Sequence, residues 1–137
     1  MLSAYPACFY KEKEGNYSVI FPDLNGVATC GDTLEQAFTM AVDLLAGELY
    51  ESKKTGETPS EPSDIKSINI DEVYDEYAEA FVNIVTVDVE EYAKTHFEKS
   101  VKKTLTIPAW LNEQATKENI NFSQTLQRAL IEQLHLN

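Results

Sequence analysis

The sequence predicts an α+β protein in two parts: a β-β-β-α-β unit over residues 1–98, then a strand and two helices over residues 99–137. Three observations carry this. Along the 137 residues, apolar side chains first alternate, then recur at three- and four-residue spacing, then form a β-branched run, and finally return to helical spacing. Turn-forming Gly, Pro and Asn punctuate these stretches. Charge divides at the same place. Residues 1–98 hold six lysines and twenty carboxylates, a net of −14, whereas 99–137 hold five cations and three carboxylates, a net of +2. Two parts with different partners would look like this, although an acidic solvated surface also accounts for the first part.

Residues 2–11 are rich in aromatic and small apolar side chains and read as a strand. Glu14-Gly15-Asn16 supplies a turn, and Tyr17-Ser18-Val19-Ile20-Phe21 a second strand. Pro22 and Asn25-Gly26 break it, and residues 27–30 form a short third strand. Thr33 followed by Gln36 fits a capping box opening a helix, whose apolar face is Leu34, Phe38, Ala41, Leu45 and Leu49. That helix should lie on the hairpin. Lys53 and Lys54 suit the negative end of its dipole, and Gly56 can stop it. Residues 55–64 carry two prolines and three acids and read as an exposed loop. Residues 71–80 fit either helix or loop. Residues 81–89 form a β run that joins the first sheet, and 90–98 a short connecting helix.

Composition narrows the classes of function. With 43% hydrophobic residues the chain can build a core. It contains no run of eighteen apolar residues, so no transmembrane helix or membrane partner is expected. The start, MLSAYPACFYKEKEG, lacks the pattern of a secretory signal, which points to the cytoplasm. Cys8 and Cys30 read as buried free thiols on strands, and His96 and His135 have no metal-ligand spacing. No cofactor or metal is expected. The net charge of −12 argues against a general nucleic-acid binder and leaves only the last segment suited to that work.

In that segment, residues 102–107 form a two-faced strand. Lys102, Thr104 and Thr106 point one way, Leu105 and Ile107 the other. Pro108 ends the strand and opens a helix over 109–119, with Leu111 and Ala115 on its apolar side. Asn119-Ile120-Asn121 makes a turn. Asn121 caps a second helix, from Phe122 to about Leu136, with Phe122, Leu126, Ala129, Leu130 and Leu134 inward. One strand and two helices cannot close a core alone, because the strand has an unpaired edge and the helices cover one side. A two-fold dimer solves this: the strands pair antiparallel, and Leu105, Ile107, Leu111, Leu126 and Leu130 join a shared core. The polar faces of the paired strands then make a ribbon narrow enough for the DNA major groove. Free amides at Phe122 and Ser123 can hold a phosphate.

The stretch KKTLTIPAWLNEQATKENINFSQTLQRALIEQL resembles a ribbon-helix-helix DNA-binding domain over its whole length. That resemblance implies base-reading roles for Lys102, Thr104 and Thr106, and a phosphate-clamping turn at Asn121, Phe122 and Ser123. Asn119 stands where such domains usually have glycine, a substitution that asparagine's tolerance of left-handed backbone makes mild. The stretch YPACFYKEKEGNYSVIFPDLNGVATCGDTLEQAFTMA resembles the opening of the HicB antitoxin family, through its Tyr-Pro start, its hairpin, Phe21-Pro22-Asp23-Leu24 and Gly31-Asp32-Thr33-Leu34.

The family resemblance implies a partial RNase-H-like first domain that blocks HicA, a small basic mRNA-cleaving toxin, and a second domain that binds operator DNA and represses the shared operon. The implied assembly is a homodimer, with higher assemblies possible in the presence of toxin. An acidic surface suits a basic toxin, since it can compete with RNA. Charge and placement single out Asp23, Asp32 and Glu35 as toxin-contacting candidates. An enzyme reading would draw on Asp23, Asp32, Asp43 and Asp88, but nothing in their spacing makes them converge, so no catalytic residue is expected. The alternative is a free-standing ribbon-helix-helix repressor whose first domain senses a ligand, and no ligand motif supports it.

Overall fold

The computed structural model describes residues 1–98 and 100–136, which divide into two compact units, Met1–Lys99 and Ser100–Asn137. Residue 99, where the second part was expected to begin, lies outside the described residues.

The first unit runs β1 (Ser3–Lys11), β2 (Tyr17–Phe21), β3 (Val27–Gly31), α1 (Leu34–Thr55), a 3-10 turn (Ile65–Ser67), α2 (Ile70–Val73), β4 (Glu79–Val87) and α3 (Val89–His96). The four strands form one antiparallel sheet in the order β3-β2-β1-β4. The first three strands are a meander built by local turns. Phe21 O accepts the amides of both Leu24 and Gly26, and Asn25 takes the left-handed conformation that turn needs, at φ 58°. β4 then comes back to pair with all of β1, from Ser3 opposite Val87 to Lys11 opposite Glu79.

Alternation along the strands gives the sheet two apolar faces. Tyr5, Ala7, Phe9, Val19, Phe21, Val85 and Val87 form the core under α1, which contributes Ala37, Ala41, Leu45 and Ala46. The helix face is therefore rotated from the expected one. Ala41 and Leu45 are buried and Phe38 and Leu49 pack partly, but Leu34 is 39% exposed and Ala37 takes its place. Small side chains let the helix approach β3 closely. On the second face, Pro6, Cys8 and Tyr10 are also buried. There the chain between α1 and β4 returns over β1: Tyr10 donates its hydroxyl to Ile70 O at 2.8 Å and meets the rings of Tyr74 and Tyr77 at 5.1 and 5.4 Å.

Local chemistry sets the ends of the elements. Thr33 caps α1 by accepting the Gln36 amide at 3.1 Å, and the Gln36 side chain accepts from Asp32 N, one residue before the expected partner. Gly56 ends the helix in the left-handed conformation at φ 77°, where a Cβ would be strained. The β run expected over 81–89 lies at Glu79–Val87 instead. Asp88 leaves the strand to cap α3, accepting the Glu91 amide at 3.2 Å, and Val89 is helical. Residues 71–80 resolve into the end of α2, a connecting loop and the start of β4. Cys8 is buried as expected, but Cys30 is exposed. It lies on an edge strand opposite Ser18, on the face away from α1.

The second unit contains α4 (Ala109–Lys117) and α5 (Phe122–Gln133). The second helix stops three residues short of the expected end. The strand expected over 102–107 makes no ladder in the single chain, because a strand is defined by a partner and none is present among the described residues.

Candidate functional site

The second unit has an unusual burial pattern. None of its described residues is buried, and only Ala115 and Leu126 are even half-buried. Leu105 is 59% exposed and Leu134 63%, with Ile107, Leu111, Phe122 and Leu130 likewise open to solvent. Four of the five candidate dimer-core residues are thus exposed apolar surface in one chain, and the fifth, Leu126, is only half-buried. The candidate base-reading residues Lys102, Thr104 and Thr106 are exposed on the same segment. The lone tryptophan, Trp110, is 67% exposed on the first turn of α4 and had not been singled out by periodicity.

The turn between the helices is fixed by its own hydrogen bonds. Ile120 donates to Ala115 O at 3.0 Å and Asn119 to Thr116 O at 3.1 Å, the paired bonds of a Schellman ending, with Asn119 left-handed at φ 54°. Asn121 then caps α5, its Oδ1 accepting the Gln124 amide at 3.0 Å. The amides of Phe122 and Ser123 have no acceptor among the described residues, and they point out of the positive end of the helix.

The first unit places the three acidic candidates in two locations. Asp23 sits in the turn before β3, where its carboxylate accepts the Ser63 amide at 2.8 Å and the Ser63 hydroxyl. It clamps the loop that follows α1. Asp32 and Glu35 lie beyond the other end of β3, exposed, on the rim of a shallow groove shared with Cys30, Gln36 and Met40. The structure therefore brings Asp32 and Glu35 together and leaves Asp23 apart from them.

The remaining carboxylates considered for chemistry each hold something structural. Asp43 accepts the Tyr92 hydroxyl at 2.9 Å, and Asp88 caps α3 and pairs with the N-terminal amine at 3.1 Å. Burial, and then the Asp43 partner, push the Tyr92 hydroxyl up to about 12. Among the described residues, no group of three His, Cys, Asp or Glu side chains could hold a metal ion. A cleft of about 660 Å³ between α1 and α3 has Lys53 and Lys94 in its lining, but these pair with Glu90 at 3.2 Å and Glu91 at 3.0 Å. No helix among the described residues is long and apolar enough to cross a membrane.

Comparison with known proteins gives three findings. A family model described as the HicB_like antitoxin of bacterial toxin-antitoxin system matches residues 5–130. A chain of a toxin-antitoxin complex from Streptococcus pneumoniae is similar at 30% identity and a TM-score of 0.63, covering 97% of this chain and 99% of that one. The antitoxin HicB of Burkholderia pseudomallei shares the fold at 23% identity and a TM-score of 0.52, over 96% of this chain and 98% of that one. No curated protein matches significantly.

Proposed function

The chain belongs to the HicB-like antitoxin family of bacterial toxin–antitoxin systems, and from that membership we propose a division of labour between its two units. The first, a partial RNase-H-like domain, binds and neutralises a HicA-type mRNA-cleaving toxin in the cytoplasm. The second is a ribbon-helix-helix that dimerises, binds operator DNA and represses the operon.

The observation that carries the second half is the burial pattern. A unit with no buried apolar residue among those described is poorly stabilised alone, since each such side chain forgoes part of the roughly 1.5–3 kcal/mol available from full burial. Antiparallel pairing of residues 102–107 across a two-fold axis would complete the ladder and cover Leu105, Ile107, Leu111, Leu126 and Leu130 together. It would also leave Lys102, Thr104 and Thr106 on one outer face, for base edges in the major groove. Asn121, Phe122 and Ser123 would hold the flanking phosphate. The +2 charge of this segment supports binding that depends on a specific site and falls steeply with salt.

For the first half, the support is charge and exposure. A domain of net −14 attracts a basic toxin, and Asp32 and Glu35 present free carboxylates on one groove. Asp23 contributes indirectly, by fixing the loop at Ser63. The similarity to a chain from a toxin-antitoxin complex favours a protein partner. The family favours a regulator over an enzyme. Ligand sensing draws no support from the cleft between α1 and α3, where Lys53 and Lys94 are both ion-paired.

Two measurements test this. Thr104→Ala with Thr106→Ala should reduce operator selectivity in a gel shift by about tenfold or more, at roughly 1–3 kcal/mol per lost base contact, while toxin co-purification is unchanged. Unchanged selectivity would remove the strand from the DNA interface. Asp32→Lys with Glu35→Lys should weaken toxin capture and growth rescue and leave operator binding intact; full rescue would place the toxin elsewhere.

A further inference from the structure

The strand order leaves β4 at the edge of the sheet, and no backbone hydrogen bond reaches its outer side from the described residues. The Ile84 amide marks that side: it donates to Asn83 Oδ1 at 2.9 Å, off the ladder with β1. Backbone groups two residues apart on a strand point the same way, so Ala80, Val82 and Thr86 direct theirs outward too. Pro6, which has no amide to give, stands opposite Ile84 on β1, as suits a pair that exchanges no bonds. The edge carries no charge between Glu79 and Asp88, and Phe81 and Ile84 stay 37% and 41% exposed on its two faces. A long, uncharged, apolar edge is one that recruits another strand.

We propose that β4 pairs antiparallel with β4 of a second copy, about a two-fold axis at Asn83. In this register Ile84 faces Val82 of the other copy, Phe81 faces Val85, and Glu79 faces Val87, so no carboxylate in the ladder meets another. A cationic strand is the rival occupant, because acids flank the edge. At the Val87 end, however, those acids are already answered within the unit: Asp88 by the N-terminal amine, Glu90 by Lys53 and Glu91 by Lys94. What the edge presents is an uncharged strand, and its own sequence is the complement. Asn83 guards it, since pairing must displace its side-chain oxygen from the Ile84 amide. The contact is therefore weak and reversible, and it strengthens as salt screens the −14 of each unit.

Disulfide trapping of the full chain, without toxin and with Cys30→Ser, tests the register while leaving Asn83 in place. Ala80→Cys and Thr86→Cys in one chain lie opposite each other across the proposed interface, about 5.5 Å apart at Cα and within reach of a disulfide. Each residue is about 20 Å from its own counterpart, six residues along a strand. Mild oxidation should give a covalent dimer of the double variant and of neither single variant. Adding Ile84→Lys should reduce trapping at least tenfold, with the circular dichroism spectrum and toxin capture retained. The proposal is overturned by failure of the double variant to cross-link, or by equal cross-linking of the singles, which would report collision. It is also overturned if Ile84→Lys releases toxin and leaves the cross-link, which would give the edge to a toxin strand. Should Ile84→Lys not fold, the contrast between double and single variants decides.

Discussion

Gly31 has no room for a side chain. A Cβ there would lie 2.5 Å from Ala37 N and 2.8 Å from the carbonyl carbon of Gln36, both of them backbone atoms that cannot swing aside. Gly31→Ala should therefore lever the first turn of α1 off β3 and cost about 1–3 kcal/mol, the usual range for overpacking, read as a lower midpoint in thermal unfolding; an unchanged midpoint would mean the helix shifts freely. Sequence reading placed Gly31 only within the stretch that carries the family resemblance, because a close approach is a distance between two elements and leaves no local mark. Asn119 is the opposite case. Its left-handed φ of 54° was legible, since asparagine is among the few residues that tolerate it. The cap at Asn121 was legible for the same kind of reason: its short side chain places an amide oxygen within reach of the third amide of the helix.

At the scale of elements, local signals carried far. The hairpin, the capped start of α1 and its glycine stop, and the turn between α4 and α5 all rest on contacts within a few residues. Elements shaped by distant neighbours were read less well. The buried stripe of α1 is turned toward Ala37 because β3 lies so close. Cys30 is exposed because β3 is an edge. Residues 102–107 could be read as a strand from alternation, yet they have no ladder, since no partner strand is present among the described residues. The Leu105→Glu variant tests that last element. A carboxylate in the proposed shared core costs several kcal/mol unless it is protonated, so the second unit should lose dimerisation and operator binding together. A dimer that persists by ultracentrifugation would show that Leu105 does not face the two-fold axis.

On the scale of the whole molecule, chromophores separate the units: all seven tyrosines lie within residues 1–98, and the one tryptophan is Trp110. Tyr5, Tyr10 and Tyr92 have hydroxyls raised above the ordinary value, each mainly by burial. A raised value means the folded state favours the neutral phenol. The stability this contributes is full below the unfolded value near 10 and is lost as pH climbs toward the folded one, about 12 for Tyr92. Alkaline titration should thus unfold the first unit, with tyrosinate absorbance rising cooperatively. Trp110 fluorescence should not follow that transition. A tryptophan change locked to the tyrosinate step would mean that the two units unfold as one.

The ladder between β1 and β4 also sets a schedule. It joins Ser3 to Val87, so the first strand made by the ribosome waits for the last strand of its unit before the sheet can close. Contacts of such long sequence separation fold slowly, because loop closure must precede the pairing that rewards it. At roughly 5–20 residues per second, several seconds of translation pass before the proposed toxin-binding domain can exist. If toxin and antitoxin are made from one message, as proposed, that interval has to be bridged by antitoxin already folded.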